Sequence, residues 1–258
     1  MKCDIVLAGV GGQGILTVAY LLDNAAIARG LDFKQAEVHG MSQRGGAVYS
    51  HLRISDGEVI SDLIPMGQAD LIIAVEPLEV QRYVNLLSPT GTVVASNQPF
   101  VNIPNYPEEK AVISALFDLP NCLLVNAKEI ASKAGAMRAQ NMAVLGAAIP
   151  FLPFGLEDFA PSITSLFTRK GEHIVESNMN VLRWGGQYGA FYKALLDAAV
   201  DRELLYNVAE KLDVTSVDAG LASDFAGVLT ADAGKAASLL ETLESRLPAG
   251  ELLARFSS

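Results

Sequence analysis

Cysteine is nearly missing: Cys3 and Cys122 are the only two thiols in 258 residues. Two thiols exclude a disulfide framework, a structural zinc site and a four-thiolate iron–sulfur cluster built from this chain alone. Histidine is scarce as well, and His39, His51 and His173 are too scattered to outline a metal site. Lysine and arginine number 19 against 29 acids, and a net charge of −10 argues against nucleic acid as the main ligand. The longest stretch without charged or strongly polar side chains, 142–156, is too short to cross a bilayer and contains Pro150 and Pro153. No basic leader with an apolar run precedes the first strand, so neither a membrane anchor nor a signal peptide is expected, and the cytoplasm is the expected location. Three chemical signatures are missing too: the Gly-Asp-Gly with Asn-Asn that marks a thiamine diphosphate–magnesium site, a phosphate-binding P-loop, and a serine nucleophile elbow. No catalytic residue and no metal ligand is expected in this chain.

What is present is apolar and periodic. Half the residues are hydrophobic and 19% are charged, ample for a folded core. The first 125 residues alternate short apolar runs with helix-spaced segments. Strands are predicted at 4–9, 32–38, 47–54, 69–75, 92–95 and 122–125. Helices are predicted at 13–29, 78–87, 108–117 and 127–134. Such alternation implies crossovers and an α/β fold: a Rossmann-like, mostly parallel sheet flanked by helices. Ser55-Asp56-Gly57-Glu58 reads as a turn leading into Val59-Ile60, a hairpin embellishment on that sheet. Beyond about residue 136 the pattern is helical: 141–149, 156–167 and 171–199, the last with a break at Trp184-Gly185-Gly186-Gln187-Tyr188-Gly189. The division expected is a domain over 1–190 and an acidic helical extension over 191–258 packed on it. In the extension Leu204, Val208 and Leu212 share one apolar face, and Leu240, Leu243 and Leu247 share another.

Gly9-Val10-Gly11-Gly12-Gln13-Gly14 matches G-x-G-x-x-G between a first strand and a first helix, where glycines permit a tight turn and the helix N-terminus favours an anion. Glu37 falls near the end of the second strand, about where a ribose-binding acid would stand. On these features alone a dinucleotide site and a purely architectural turn are equal readings.

The segment that follows shifts that balance. His39-Gly40-Met41-Ser42-Gln43-Arg44-Gly45-Gly46, continuing through a strand that ends Arg53-Ile54-Ser55-Asp56, has no role in a dinucleotide half-domain. Together with Gly11-Gly12-Gln13-Gly14 it resembles the gamma-type domain of the 2-oxoacid:ferredoxin oxidoreductases. The lead-in from His39 to Gln43 is similar to the small (beta) subunits of the indolepyruvate branch. Asp70-Leu71-Ile72-Ile73-Ala74 followed by Glu76-Pro77-Leu78, then Gly91-Thr92-Val93-Val94 and Asn141-Met142-Ala143-Val144-Leu145-Gly146, extend the resemblance over roughly 3–190.

That resemblance implies an oxidoreductase in which an aryl pyruvate such as indole-3-pyruvate loses carbon dioxide, its acyl group joins coenzyme A as cosubstrate, and the electrons pass to ferredoxin. It implies that a large partner subunit holds thiamine diphosphate, magnesium and the iron–sulfur clusters, and that this chain binds none of them and is inactive alone. Gly9, Gly11, Gly12, Gln13 and Gly14 are then candidates for one ligand- or partner-binding loop. His39, Gln43, Arg44, Gly45, Gly46 and Arg53 are candidates for a second. Both loops are expected beside each other, at the carboxyl ends of adjacent parallel strands. The gamma subunit of another 2-oxoacid:ferredoxin oxidoreductase and a stand-alone NAD(P)-binding Rossmann enzyme are the alternatives.

Other residues carry two readings each. Alternation puts Tyr49, His51 and Arg53 on one face of the third strand, suiting either a partner or anion surface or the solvent face of an edge strand. Arg44 could clamp a carboxylate or phosphate, or hold its own loop. Tyr106 and Lys110 fit Tyr-x-x-x-Lys of the short-chain dehydrogenases, an accidental match because that family opens with a different glycine spacing. Cys3 and Cys122 border apolar strands, where inert buried thiols are the default. The 142–156 stretch suits either core or an obligate subunit interface.

Overall fold

The computed structural model describes residues 1–39, 45–101, 103–119 and 121–256, with His39 through its backbone alone. Six strands form one sheet: β1 (Lys2–Val10), β2 (Asp32–His39), β3 (Ala47–Ser55), β4 (Ala69–Ala74), β5 (Leu87–Ser96) and β6 (Cys122–Val125), in the order β2-β3-β1-β4-β5-β6. β1, β4, β5 and β6 pair in parallel, whereas β3 runs antiparallel to both of its neighbours, β1 and β2. The embellishment is therefore a β2–β3 hairpin inserted into the sheet. The expected pairing through Val59 and Ile60 does not form, and neither residue is in a strand. Residues 59–68 instead lie over the β3 face that carries Tyr49, His51 and Arg53. The Ile64 amide donates to His51 Nδ1 at 3.0 Å, and Arg53 Nη1 reaches the carbonyls of Ser61 and Leu63.

The period-2 alternation of the strands sorts two cores. Ile5, Leu7, Leu52, Ile54, Leu71 and Ile73 face one side with α1 (Ile15–Ala28), α5 (Gln140–Ala148), α6 (Leu156–Phe167) and α7 (Glu172–Asp197). Val6, Ala8, Ile72, Ala74 and Val93 face the other with α2 (Pro77–Tyr83) and α3 (Glu109–Phe117). α4 (Ala127–Lys133) follows β6.

The first half of the 142–156 stretch is core: Met142 to Ala148 is buried throughout, held between the sheet and α7, whereas 149–153 is half-buried. The glycines at 185–189 do not break a helix either, because α7 runs unbroken for 26 residues. They permit a close crossing. A Cβ on Gly185 would meet the Ala143 carbonyl at 2.4 Å, one on Gly189 the Ala147 carbonyl at 2.3 Å, and one on Gly146 the Leu182 carbonyl at 2.2 Å. Backbone therefore packs on backbone, and the cost of helical glycine is offset by that contact.

The extension folds as α8 (Arg202–Lys211), α9 (Ala222–Ala231), α10 (Ala233–Thr242) and α11 (Ala249–Phe256). Leu204, Val208 and Leu212 are buried in the same core cluster as α1 and α7. Leu240 is buried in α10, but Leu243 and Leu247 follow that helix, and Leu247 bridges to Leu212 in parallel register. Phe191, Phe225 and Phe256 stack edge to face at 5.1 and 6.1 Å, joining α7, α9 and α11. Lys133–Asp213 and Arg246–Glu129 ion pairs fasten the extension to α4.

Candidate functional site

In the sequence, β1 leads into α1 and then β2, which lies to one side; β4 leads into α2 and then β5, which lies to the other. The carboxyl ends of β1 and β4 thus flank the topological switch point, where open α/β sheets bind ligands. The glycine loop sits there. Gly12 (φ 101°) and Gly14 (φ 79°) occupy the left-handed region that suits glycine. Gly14 also accepts a hydrogen bond at its carbonyl from Asn141 Nδ2 at 3.1 Å, and a Cβ there would lie 2.6 Å from that nitrogen.

The second loop is tied to the first by backbone. Gly11 donates to the Gly46 carbonyl at 2.8 Å and Gly45 to the Gly11 carbonyl at 3.3 Å. These bonds continue the β1–β3 ladder one step past the Val10–Ala47 pair. Gly9, Gly11, Gly12, Gln13, Gly14, Gly45 and Gly46 therefore converge. Gln43, Arg44 and the His39 side chain lie outside the described residues. The strands behind the two loops, β1 and β2, are not adjacent as expected, because β3 separates them.

Arg53 does not join this cluster. It stands six residues along β3 from Ala47, roughly 20 Å at the usual strand rise. There its Nε donates to Asp4 Oδ1 at 2.9 Å and its Nη2 to Oδ2 at 3.2 Å, with Asp4 fully buried. The chain from Ser61 to Ile64 thus covers His51 and part of Arg53, and Tyr49 packs on the Tyr83 ring at 4.5 Å. Burial holds the His51 imidazole below its ordinary pKa. Glu37 lies on β2, a full strand spacing beyond where a dinucleotide acid would sit next to β1, and its Oε1 accepts from Gln35 Nε2.

Glu76 is the residue that pattern reading left without a role. It follows β4, caps α2 ahead of Pro77 and is 1% exposed. Its carboxylate accepts from Leu78 N at 3.2 Å, Phe100 N at 2.7 Å, the Tyr106 hydroxyl at 2.5 Å and the Gln13 side chain. Gln13 Oε1 in turn accepts from Val10 N at 2.8 Å. One carboxylate thereby joins the glycine loop, the end of β4 and the 100–106 segment. Burial raises its pKa, opposed by those donors, and burial with the Glu76 bond raises that of Tyr106. Tyr106, of the Tyr-x-x-x-Lys match, donates its hydroxyl to Glu76. The signal for Glu76 was local: an acid before Pro77 at a strand end. Asn141 gave none, since its partner Gly14 is 127 positions away.

Among the described residues this end offers backbone, amide and a saturated carboxylate, an arrangement for shape and hydrogen bonding. Burial pushes the thiols of Cys3 and Cys122 up to about 12, which keeps them protonated and unreactive. Among the described residues no group of three or more His, Cys, Asp or Glu is placed to hold a metal ion, and no helix is long and apolar enough to cross a membrane.

Comparison with known proteins bears on the same residues. The family described as pyruvate ferredoxin/flavodoxin oxidoreductase matches 4–188. Indolepyruvate oxidoreductase subunit IorB of Archaeoglobus fulgidus is 39% identical over 194 residues, covering 72% of this chain and 94% of that protein. Its namesake from Methanothermobacter thermautotrophicus is 35% identical over 192 residues, covering 72% and 96%. In fold, the chain is similar to pyruvate oxidoreductase subunit PORC of Thermotoga maritima (TM-score 0.56, 20% identity, 72% of this chain and 96% of that one). It also resembles part of the 2-oxoglutarate:ferredoxin oxidoreductase of Magnetococcus marinus (TM-score 0.59, 17% identity, 73% and 31%), a structure with 2-oxoglutarate, coenzyme A and succinyl-CoA bound.

Proposed function

Because the chain belongs to the pyruvate ferredoxin/flavodoxin oxidoreductase family, we propose that it is the small subunit of an indolepyruvate:ferredoxin oxidoreductase, acting on aryl pyruvates in company with a large subunit. The observation that carries this reading is 39% identity over nearly the whole length of a protein named for that role. The donor set of this chain agrees with cofactors held elsewhere. Cys3 on β1 and Cys122 at the start of β6 lie in the two different cores and three strand spacings apart, at least about 14 Å, so they do not fit a shared cluster. The thiamine–magnesium motif is missing as well. Thiamine diphosphate, magnesium and iron–sulfur clusters belong, in this reading, to the partner, with coenzyme A as cosubstrate and ferredoxin as electron acceptor. The contribution of this chain is positional. The Gly9–Gly14 and Gly45–Gly46 backbone, pinned through Gln13 to Glu76, presents a rigid surface at the switch point for the partner or its cosubstrate.

The test is reconstitution. The large subunit should reduce a viologen dye or ferredoxin with an aryl pyruvate and coenzyme A only when this chain is added, and the chain alone should contain no stoichiometric iron or thiamine diphosphate. Full activity of the large subunit by itself, or a cluster in this chain, would overturn the assignment. Against a stand-alone dehydrogenase stands the insertion of β3, which displaces Glu37 from the dinucleotide position. NAD(H) and NADP(H) should bind no tighter than about millimolar, roughly 4 kcal/mol. Micromolar binding lost in Glu37→Ala would restore that rival.

A further inference from the structure

The carboxyl ends of β5 and β6 open into a second cleft, of about 1100 Å³, at the seam between the family-matched region and the extension. One wall carries Asn97, Gln98 and Phe117; the other carries Tyr206, Asn207 and Glu210, all beyond the family match. Asn97 Nδ2 donates to Glu210 Oε1 at 3.2 Å, which leaves the buried Asn97 Oδ1 with no donor. That oxygen is enclosed, so what the cleft itself presents is the Glu210 carboxylate that Asn97 holds in place. Beside it the rings of Phe117 and Tyr206 meet at 4.5 Å and 72°, forming an aromatic shelf with Ile113. Lys110 and Lys128 stand exposed at the rim.

The charge lining the cleft decides the ligand class. Lys110, Lys128, Arg202 and Arg246 face Glu109, Asp118, Asp201, Glu203 and Glu210, so the two signs nearly cancel. A polyphosphate would meet nearly as much repulsion as attraction, whereas a dipolar ligand finds both partners. We propose that this cleft binds a free α-amino acid with an aryl side chain. Its ammonium group pairs with Glu210, its carboxylate pairs with a rim lysine, and its ring lies on the Phe117–Tyr206 shelf. The dipolar half of the assignment rests on the cleft alone; the aryl half rests also on the proposed function. An aryl pyruvate is what such an amino acid becomes when a transaminase exchanges its amino group for the keto oxygen of another 2-oxoacid. Occupancy would then report the supply of the substrate's precursor to the oxidoreductase.

Calorimetric titration of the full chain, without the large subunit, tests this. Tryptophan or phenylalanine should bind with a dissociation constant of about 1 mM or tighter, and alanine about tenfold more weakly. Tyr206→Ala and Lys128→Met should each weaken binding by about fivefold or more while leaving the melting temperature within a few degrees. No heat from either aryl amino acid, equal binding of alanine, preference for AMP, or indifference to both substitutions would overturn the proposal. Failure of the small-subunit reading appears elsewhere, in the reconstitution assay, and leaves these titrations unchanged.

Discussion

At the carboxyl edge of the sheet, the β1–β4 end and the β5–β6 end are built from different materials. The first is backbone: glycines at positive φ, reciprocal amide bonds between two loops, and one buried carboxylate with all its acceptor capacity in use. The second is side chain: carboxamides, charges of both signs and an aromatic pair, with a buried acceptor left over. A saturated network fixes a shape and suits docking of a preformed surface, whereas an unsaturated, roomy one suits a small molecule. The first end lies within the region shared with the family, and the second depends on residues past 188.

Four tests by substitution sharpen that contrast. The largest effect is expected at Arg53, which the sequence groups with the loop candidates and the fold places at the far end of β3. Arg53→Met leaves the buried Asp4 carboxylate with Lys2 as its one remaining charge partner and strips the Ser61 and Leu63 carbonyls of a donor, and should cost about 3 kcal/mol in urea unfolding. Adding Asp4→Asn should return most of it, and whatever protein folds should still support the large subunit. Loss of that support at unchanged stability would put Arg53 back in the docking surface.

Next comes Glu76→Ala, which removes the acceptor for two amides, a hydroxyl and the Gln13 side chain. Stability should fall by about 2–3 kcal/mol, with faster hydrogen exchange at the Phe100 amide. Glu76→Gln should lose less. On the extension side, Arg246 links Glu129 on α4 to the Glu210 carbonyl from a half-exposed position. Arg246→Ala should cost about 1 kcal/mol and raise protease sensitivity beyond residue 200 without changing exchange in the sheet.

The smallest change is at Asp23 on α1, where burial and the nearby Glu37 charge raise the carboxyl pKa to about 7 and Oδ1 has no donor. The folded state then holds this proton more tightly than the unfolded one. Its contribution to stability falls as pH rises from about 4 to about 7 and is flat above that. Asp23 is partly exposed, so solvent screening leaves about 1 kcal/mol. Asp23→Asn should recover that amount at pH 8 and flatten the slope, read from urea midpoints across pH.

The strands and most helices were legible because their signals are local. β6 was expected at 122–125 and α6 at 156–167, and both have those bounds, since apolar runs and helical spacing need no knowledge of neighbours. The glycine loop was legible for the same reason, as a strand-to-helix turn. Gln13 was among the candidates, but its bond to Glu76 could not be read, because the two meet only when β1 and β4 lie side by side.

By itself, then, the sequence determined an acidic, thiol-poor α/β chain with its glycines at a strand end and without a thiamine–magnesium motif. Tertiary structure decided which strands are neighbours. Inserting β3 between β1 and β2 moved Glu37 away from the loop and tied Gly11 to Gly45 and Gly46, and the chain that follows β3 folded back over His51 and Arg53. It also made a helix crossing with Gly146 out of Gly185 and Gly189, where composition suggested a break. The reason is that propensity acts over a few residues, whereas pairing and close packing are chosen by contacts between segments tens of positions apart.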